Sequence, residues 1–180
     1  MPVSLDTLHA QPLTLIAPAT ETLASGGSIG AWRKAMDVAI RRSQTAAYIA
    51  ATAERLGVSP ALVKKPSRAE RAERAELDAR IAAQLKYLDG FVADLKAGKL
   101  TPAQAQARAA LYAGPTRGTY FATRYQGLPF YPTEGSECMA NCKCVWRDEG
   151  GGRYTWLMGT AEHCPTCESR QAGNPYRVNA

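Results

Sequence analysis

The sequence predicts a mainly α-helical protein, in which a body of long helices is followed by a small C-terminal β-hairpin module. Over much of the first two thirds of the chain, apolar residues recur at spacings of three, four and seven, as in helices that bury one face. All five cysteines then fall between Cys138 and Cys167, around two short alternating segments that glycines connect.

Composition narrows the class of protein. A chain of 180 residues with 46% apolar content is long enough to bury a core. We expect no membrane contact and folding in a cytoplasm, because no apolar run reaches the roughly 18 residues of a span and the N-terminus lacks a signal-peptide pattern. The net charge of +6 permits a nucleic-acid or acidic partner. Much of this charge alternates with acids, as in residues 68–76, which is typical of a solvated helix face.

Three regions are expected along the chain. Residues 1–27 mix a few apolar side chains with prolines, threonines, serines and a glycine pair, which predicts an irregular N-terminal arm. Residues 28–126 form the helical domain. A proline-containing segment from Gly127 to Pro132 is incompatible with regular helix, so a boundary follows residue 126 and residues 127–180 form a cysteine-rich module.

The first helix is predicted at about residues 29–56. Gly57 stands where a left-handed C-terminal cap belongs, and Ser59–Pro60 is a helix-start signal for a short turn over residues 61–65. The apolar residues that set the period are Ile29, Trp32, Met36, Ile40, Ala47, Ala50 and Ala53.

A second long helix begins after the capping box formed by Ser67 and Glu70 and ends at Gly98. Its apolar stripe consists of Leu77, Ile81, Leu85, Leu88, Val92 and Leu95. Because the opposite face is charged, the stripe packs on the first helix or forms an oligomeric surface with another chain, and packing on the first helix is the preferred interpretation.

A third helix follows the capping pattern of Thr101 and Gln104 and is interrupted at Gly114. Residues 116–125 are weakly helical in pattern. The aromatic side chains of this segment are predicted to pack in a core rather than to stack on bases; they are Tyr120, Phe121 and Tyr125.

The C-terminal pattern predicts a hairpin. Residues 143–147 and 153–158 alternate in polarity, and the glycine-rich stretch 149–152 supplies the turn between them. A last helical turn is predicted over residues 168–172.

The cysteines have the spacing of a zinc site in which the hairpin brings two pairs together, as in a zinc ribbon. A tight Cys-x-x-Cys turn places two thiolates on one tetrahedral ion. The preferred ligand set is Cys138, Cys142, Cys164 and Cys167. Cys144 is a substitute ligand because it shares a strand side with Cys142, and His163 is the weaker alternative. A structural Zn²⁺ is therefore expected, in preference to a disulfide framework or scattered reduced thiols.

No enzymatic activity is expected from this pattern. Glu162 beside His163 resembles zinc deaminases only in their Pro-Cys-x-x-Cys half, because the His-x-Glu half is missing. His9 and His163 are the only histidines of the sequence, and their spacing supports no Ser/His or Cys/His catalytic pair. The sequence therefore predicts a structural site without catalytic residues.

Several stretches together resemble the minor head proteins of tailed bacteriophages, the Mu F-like head morphogenesis group. The stretches are residues 85–101 and 108–120, the Leu128–Pro132 lead, Asn141-Cys-Lys-Cys-Val-Trp146 and Glu162-His-Cys-Pro-Thr-Cys167. In the commonest form of the family the Cys-x-x-Cys pair precedes the Asn-Cys-x-Cys element. Here the order is reversed and the chain lacks an appended transferase or nuclease, so it resembles a divergent branch.

The resemblance implies a virion protein of few copies that assembles in the bacterial host cytoplasm and acts in head morphogenesis near the portal vertex, where head and tail join. Its expected partners are the portal protein, the major capsid protein or both, with a homo-oligomer and packaged DNA as further candidates. The apolar stripe of the second helix is a candidate portal-facing surface. The alternative function is a zinc-ribbon nucleic-acid-binding protein, in which Lys143, Arg147 and Arg153 contact phosphates.

Overall fold

The structure is a computed structural model that describes residues 5–64, 71–131, 144–159 and 164–177. These residues are mainly helical, with a small antiparallel sheet near the C-terminus. The chain divides into two compact units, Met1–Tyr120 and Phe121–Ala180, whereas the sequence placed the division after residue 126. Within the described ranges, no helix is long and apolar enough to cross a membrane.

The helices are α1 (Leu5–Ala24), α2 (Ile29–Leu56), α3 (Arg71–Lys96), α4 (Pro102–Ala110), α5 (Pro115–Arg124) and α6 (Pro165–Ala172). Two 3-10 turns cover Pro60–Leu62 and Leu111–Ala113. The strands are β1 (Val145–Gly150), β2 (Arg153–Leu157) and β3 (Tyr176–Arg177).

The predicted irregular arm over residues 1–27 was wrong, because most of this region is the helix α1. Pro12 and Pro18 lie inside the helix and weaken its sequence signal. Packing overrides this local cost, since α1 contacts α2 and α4 and buries Ile16 at 2% exposure. Thr20 also joins the interior, where its hydroxyl oxygen accepts from the indole N–H of Trp32 at 3.4 Å. The helical unit therefore includes α1.

The helix predicted at 29–56 is confirmed as α2. Ser28 is its N-cap and accepts from the Ala31 N–H, and Gly57 ends it with φ of 65°. The short turn predicted after Ser59 is present as the 3-10 turn Pro60–Leu62. The buried apolar face of α2 includes Trp32, Met36, Ile40, Ala47, Ala50 and Ala53, as the pattern predicted.

The apolar stripe of α3 lies inside the helical unit, where α3 packs against α2. Leu77, Ile81, Leu88 and Val92 are buried, and Leu85 and Leu95 are partly buried against the same core. The stripe is therefore core, which confirms the preferred interpretation of packing on the first helix, and the alternative of an exposed oligomeric or portal-facing surface was wrong. Phe91, which the stripe did not include, is also fully buried. The predicted Ser67–Glu70 capping box lies outside the described residues.

The capping box of α4 is confirmed. The Gln104 N–H donates to the Thr101 hydroxyl at 3.3 Å, and the Thr101 N–H donates to the Gln104 side chain at 2.9 Å. The weak helical pattern after Gly114 corresponds to α5, in which Tyr120 and Phe121 are buried. These two aromatic side chains pack in the interior, as predicted.

The C-terminal unit contains the predicted hairpin and one strand more. β1 pairs with β2 in antiparallel register, with Trp146 opposite Trp156, and Gly150 to Gly152 turn the chain with positive φ. β2 also pairs with β3, which the sequence did not predict, with Tyr154 opposite Tyr176. The predicted last turn at 168–172 is the longer helix α6.

Candidate metal centre

Aromatic side chains and two cysteines form the core of the C-terminal unit. Trp146 and Trp156 lie opposite each other in the strand pair, with their rings edge-to-face and the ring centroids 5.1 Å apart. Phe130 contacts both rings. Cys144 lies two residues before Trp146, so the alternation of β structure turns both side chains to the same face. Cys144 is accordingly buried at 4% exposure, within the same cluster as Cys167.

The start of α6 brings Cys164 and Cys167 together. Cys164 is the N-cap with an extended backbone, and Pro165 occupies the first helical position, where a missing N–H costs nothing. The Cys167 N–H donates to the Cys164 carbonyl at 2.9 Å. This turn places the two sulfur atoms 3.5 Å apart. The pairing predicted from the Cys-x-x-Cys spacing is therefore present in space.

Cys144, the residue before β1, also lies close to Cys167. Its Sγ lies 3.5 Å from the Sγ of Cys167, so Cys167 contacts the sulfurs of both Cys144 and Cys164. None of the three is in a disulfide, for which a sulfur separation of about 2.05 Å is required. With zinc–sulfur bonds of about 2.3 Å, two ligands on one tetrahedral ion stand roughly 3.8 Å apart. Both observed separations are close to that value.

Contacts between α6, its following turn and the sheet position these thiols. The Asn174 side chain pairs with the backbone of Trp156, accepting from its N–H at 2.6 Å and donating to its carbonyl at 2.9 Å. The Arg170 guanidinium lies 4.2 Å from the Phe130 ring centroid. The Tyr176 hydroxyl donates to the Arg170 carbonyl at 2.8 Å. Together they hold the helix, and with it two of the three thiols, against the sheet.

Half of the predicted ligand set can be located. Cys164 and Cys167 are adjacent, and the substitute ligand Cys144 is beside them, while Cys138, Cys142 and His163 lie outside the described residues. Across the described parts of the chain, no group of three or more His, Cys, Asp or Glu side chains is arranged to hold a metal ion. A tetrahedral site at this position therefore needs a contribution from beyond the three thiols.

Basic residues of the hairpin have two different environments. The Nε atom of Arg147 lies 2.6 Å from Oε1 of Glu149, and this hydrogen bond is the main reason that the Glu149 pKa lies below its ordinary value. Arg153 stands opposite Arg177 in the β2–β3 pair, so two exposed cations are neighbours. Lys143 is not among the described residues. The sheet thus carries one arginine that is paired with an acid, Arg147, and two neighbouring arginines of like charge, Arg153 and Arg177.

Two residues that position the site were not predicted from the sequence. Arg170 follows Cys167 by three residues, a spacing that places both on one side of a helix, so this signal could have been found. No sequence pattern marks Asn174, because its side chain bonds the backbone of β2 only after folding has brought the two together. Of the residues considered for catalysis, Glu162 and His163 lie outside the described residues, as does the side chain of His9.

Comparison of the chain with protein-family models, with curated proteins and with solved structures found no match.

Proposed function

We propose that the chain is a bacteriophage minor head protein that acts in head morphogenesis at or near the portal vertex. The proposal starts from the resemblance of residues 85–101, 108–120 and 162–167 to the Mu F-like group. The observation that supports it best is the presence of two separate compact units, a helical body and a module in which three cysteines converge. In this proposal the chain acts through contacts of its surface with other head proteins.

The helical body offers a polar outer surface for such contacts. The apolar stripe of α3 is used in its own core, while acids and bases on the outside of α3 pair along the helix, as in Arg74–Asp78 and Arg80–Glu76. Large apolar side chains are exposed at separate positions, among them Leu62, Tyr87 and Leu111. Binding to a portal or capsid protein through this surface combines polar complementarity with a few apolar anchors.

Co-expression with the portal and major capsid proteins encoded in the same genome tests this function. The expected result is that the chain sediments with portal oligomers or capsid assemblies on a density gradient. A portal protein from an unrelated phage is the matched control and should leave the chain at the top of the gradient. A chain that sediments alone in the presence of both of its own partners contradicts the proposal.

A zinc ion has a structural role in this proposal. The thiolates of Cys164 and Cys167 hold it together with two of the three earlier cysteines, and the 3.5 Å approach of Cys144 to Cys167 favours Cys144 as one of them. Cys138 and Cys142 are the candidates for the last position, and His163 is the weaker alternative to them. The ion supplies a cross-link between the start of β1 and the start of α6, which adds its binding free energy to the stability of the unit.

A second candidate function is nucleic-acid binding by the same module. The observation that favours it is the pair of exposed arginines, Arg153 and Arg177, on neighbouring strands. Their phosphate contacts would give an affinity for DNA that falls steeply as salt is added. Filter binding from low to moderate salt tests it with wild type and an Arg153→Gln, Arg177→Gln double variant. Absence of binding at low salt removes this candidate.

A further inference from the structure

The three thiols are arranged for a reaction as well as for metal binding. We propose that Cys164 and Cys167 form a redox-active dithiol that a small-molecule disulfide oxidises, and that Cys144 is a third thiol able to exchange into the new bond. This inference goes beyond the function proposed above, because it requires neither a phage particle nor a bound metal.

The exposure of the thiols sets the order of events. Cys164 is partly exposed at the N-cap of α6, whereas Cys167 is 1% exposed and Cys144 is 4% exposed. A disulfide such as oxidised glutathione is too large to reach the two buried sulfurs directly. Its first contact is therefore with Cys164, which becomes the attacking thiol, and the buried Cys167 becomes the resolving thiol.

The distances allow the bond to form without unfolding. The Sγ atoms of Cys164 and Cys167 are 3.5 Å apart, so they must approach by roughly 1.5 Å to reach the length of a disulfide. Rotation of one cysteine side chain between staggered positions moves its sulfur atom by more than this distance. The backbone of the turn already has the Cys-x-x-Cys spacing that is common to thiol–disulfide oxidoreductases.

The reaction balances with oxidised glutathione as the oxidant. The Cys164 thiolate attacks one glutathione sulfur, forming a mixed disulfide and releasing the first glutathione thiolate, which takes up the proton that Cys164 lost. The Cys167 thiolate then attacks Sγ of Cys164 and releases the second glutathione, which likewise takes up a proton. Two protein thiols have then lost two electrons and two protons, and one glutathione disulfide has become two glutathione thiols.

Cys144 extends the reaction into the core. Its thiolate, 3.5 Å from Sγ of Cys167, can attack that sulfur and release the Cys164 thiolate. No electrons are gained or lost in this exchange. The product is a disulfide between the residue preceding β1 and the first turn of α6. Oxidation that begins at an exposed thiol therefore ends as a cross-link between the two elements that build the module.

Metal binding and oxidation compete for the same sulfur atoms. A thiolate that is bound to zinc has its nucleophilic electron pair engaged, and a disulfide has no thiolate to offer. On the zinc function proposed above, the loaded chain should therefore be oxidised at least tenfold more slowly than the metal-free chain. The dithiol chemistry itself is tested on the metal-free chain, so its outcome is independent of that proposal.

The test uses the full-length, metal-free chain, incubated without oxygen in oxidised glutathione, quenched with acid and mapped by mass spectrometry. Wild type should lose two hydrogen atoms and show a disulfide from Cys167 to either Cys164 or Cys144. Cys144→Ser should give only the bond to Cys164. Cys167→Ser should accumulate glutathione on Cys164, because the resolving thiol is missing.

Two results overturn the proposal. One is a wild-type chain that forms no disulfide from Cys167 to Cys164 or Cys144, and the other is a Cys167→Ser chain that does not trap glutathione on Cys164 while its near-ultraviolet tryptophan spectrum remains that of wild type. The wild-type map needs no substitution, so it decides the question even where a variant fails to fold. A sample whose thiols are alkylated beforehand controls for non-specific uptake of glutathione.

Discussion

The sulfur atom of Cys144 lies 3.5 Å from the sulfur atom of Cys167, although the two residues are 23 positions apart in the sequence. One precedes the first strand of the C-terminal unit and the other lies in the first turn of α6. Both are buried in the same aromatic cluster. A metal or a disulfide at this contact therefore joins the residue before β1 to the first turn of α6.

Phe91 packs in the core of the helical unit, and its burial should contribute strongly to the stability of that unit. It is fully buried, its ring meets Trp32 edge-on at 4.9 Å, and the Arg108 guanidinium lies 4.7 Å from its centroid. Phe91→Ala should lower the free energy of unfolding by about 3–5 kcal/mol, because it leaves a cavity. Tyr87→Ala on the same helix is the control; that side chain is 75% exposed, and the change should stay within about 0.5 kcal/mol. Urea unfolding measures both, and equal losses would contradict the packing.

The Gln84 side chain is the centre of a buried polar network. Its amide nitrogen donates to the Tyr112 carbonyl at 2.6 Å, and its oxygen accepts from Gln44 at 2.7 Å. Gln84→Leu leaves two buried groups without these bonds, and each such group costs about 1–3 kcal/mol. The exposed Gln106→Leu should be nearly neutral in the same urea titration. A Gln84→Leu chain as stable as wild type would show that the network does not contribute.

The pKa of Asp94 should depend on Arg108. The Arg108 guanidinium donates to Asp94 at 2.6 Å, and this bond is the largest of the causes that hold the Asp94 pKa below its ordinary value of 3.8. A carboxyl group with a lowered pKa stabilises the fold above the unfolded pKa, and this contribution is lost as the pH falls through the folded pKa. Arg108→Gln should move the Asp94 pKa upward in an NMR titration, with Lys99 still nearby. An unchanged pKa contradicts this assignment.

The Asn174 side chain should stabilise the C-terminal part of β2. It makes two hydrogen bonds to the Trp156 backbone, so Asn174→Ala leaves an N–H and a carbonyl without these partners. Amide hydrogen exchange at Trp156 should become at least tenfold faster. Asn174→Asp retains an acceptor for the N–H but lacks the donor, and an intermediate rate is expected. Exchange in Asn174→Ala at the wild-type rate would remove this residue from the account.

Local signals predicted much of the helical unit. The caps at Gly57 and Thr101 mark helix ends through backbone geometry that only a few residue types satisfy, and both were confirmed. α1 was missed because Pro12 and Pro18 argue against helix locally, while its stability comes from packing on α2 and α4. Phe91 was missed because the predicted stripe included only one apolar residue for each helical turn. The buried face of α3 is wider than that and includes Phe91.

Only the part of the candidate site that lies within one turn of chain could be predicted from the sequence. The Cys164–Cys167 pair is set by one turn of chain, so its spacing was enough. The choice among the earlier cysteines depends on how the strand meets α6, and strand alternation alone treats Cys142 and Cys144 alike. The approach of Cys144 to Cys167 is a tertiary contact, and no sequence spacing encodes it.

Zinc content of the chain, purified under reducing conditions, tests the central claim most directly. We expect about one zinc ion per folded wild-type chain and loss of most of that zinc in Cys144→Ser, as in Cys164→Ser and Cys167→Ser, because each change removes a thiolate ligand. A folded wild-type chain that binds no zinc when zinc is supplied in excess would contradict the metal site. A Cys144→Ser chain that keeps its zinc would contradict the role of Cys144 and return the preference to Cys138 and Cys142.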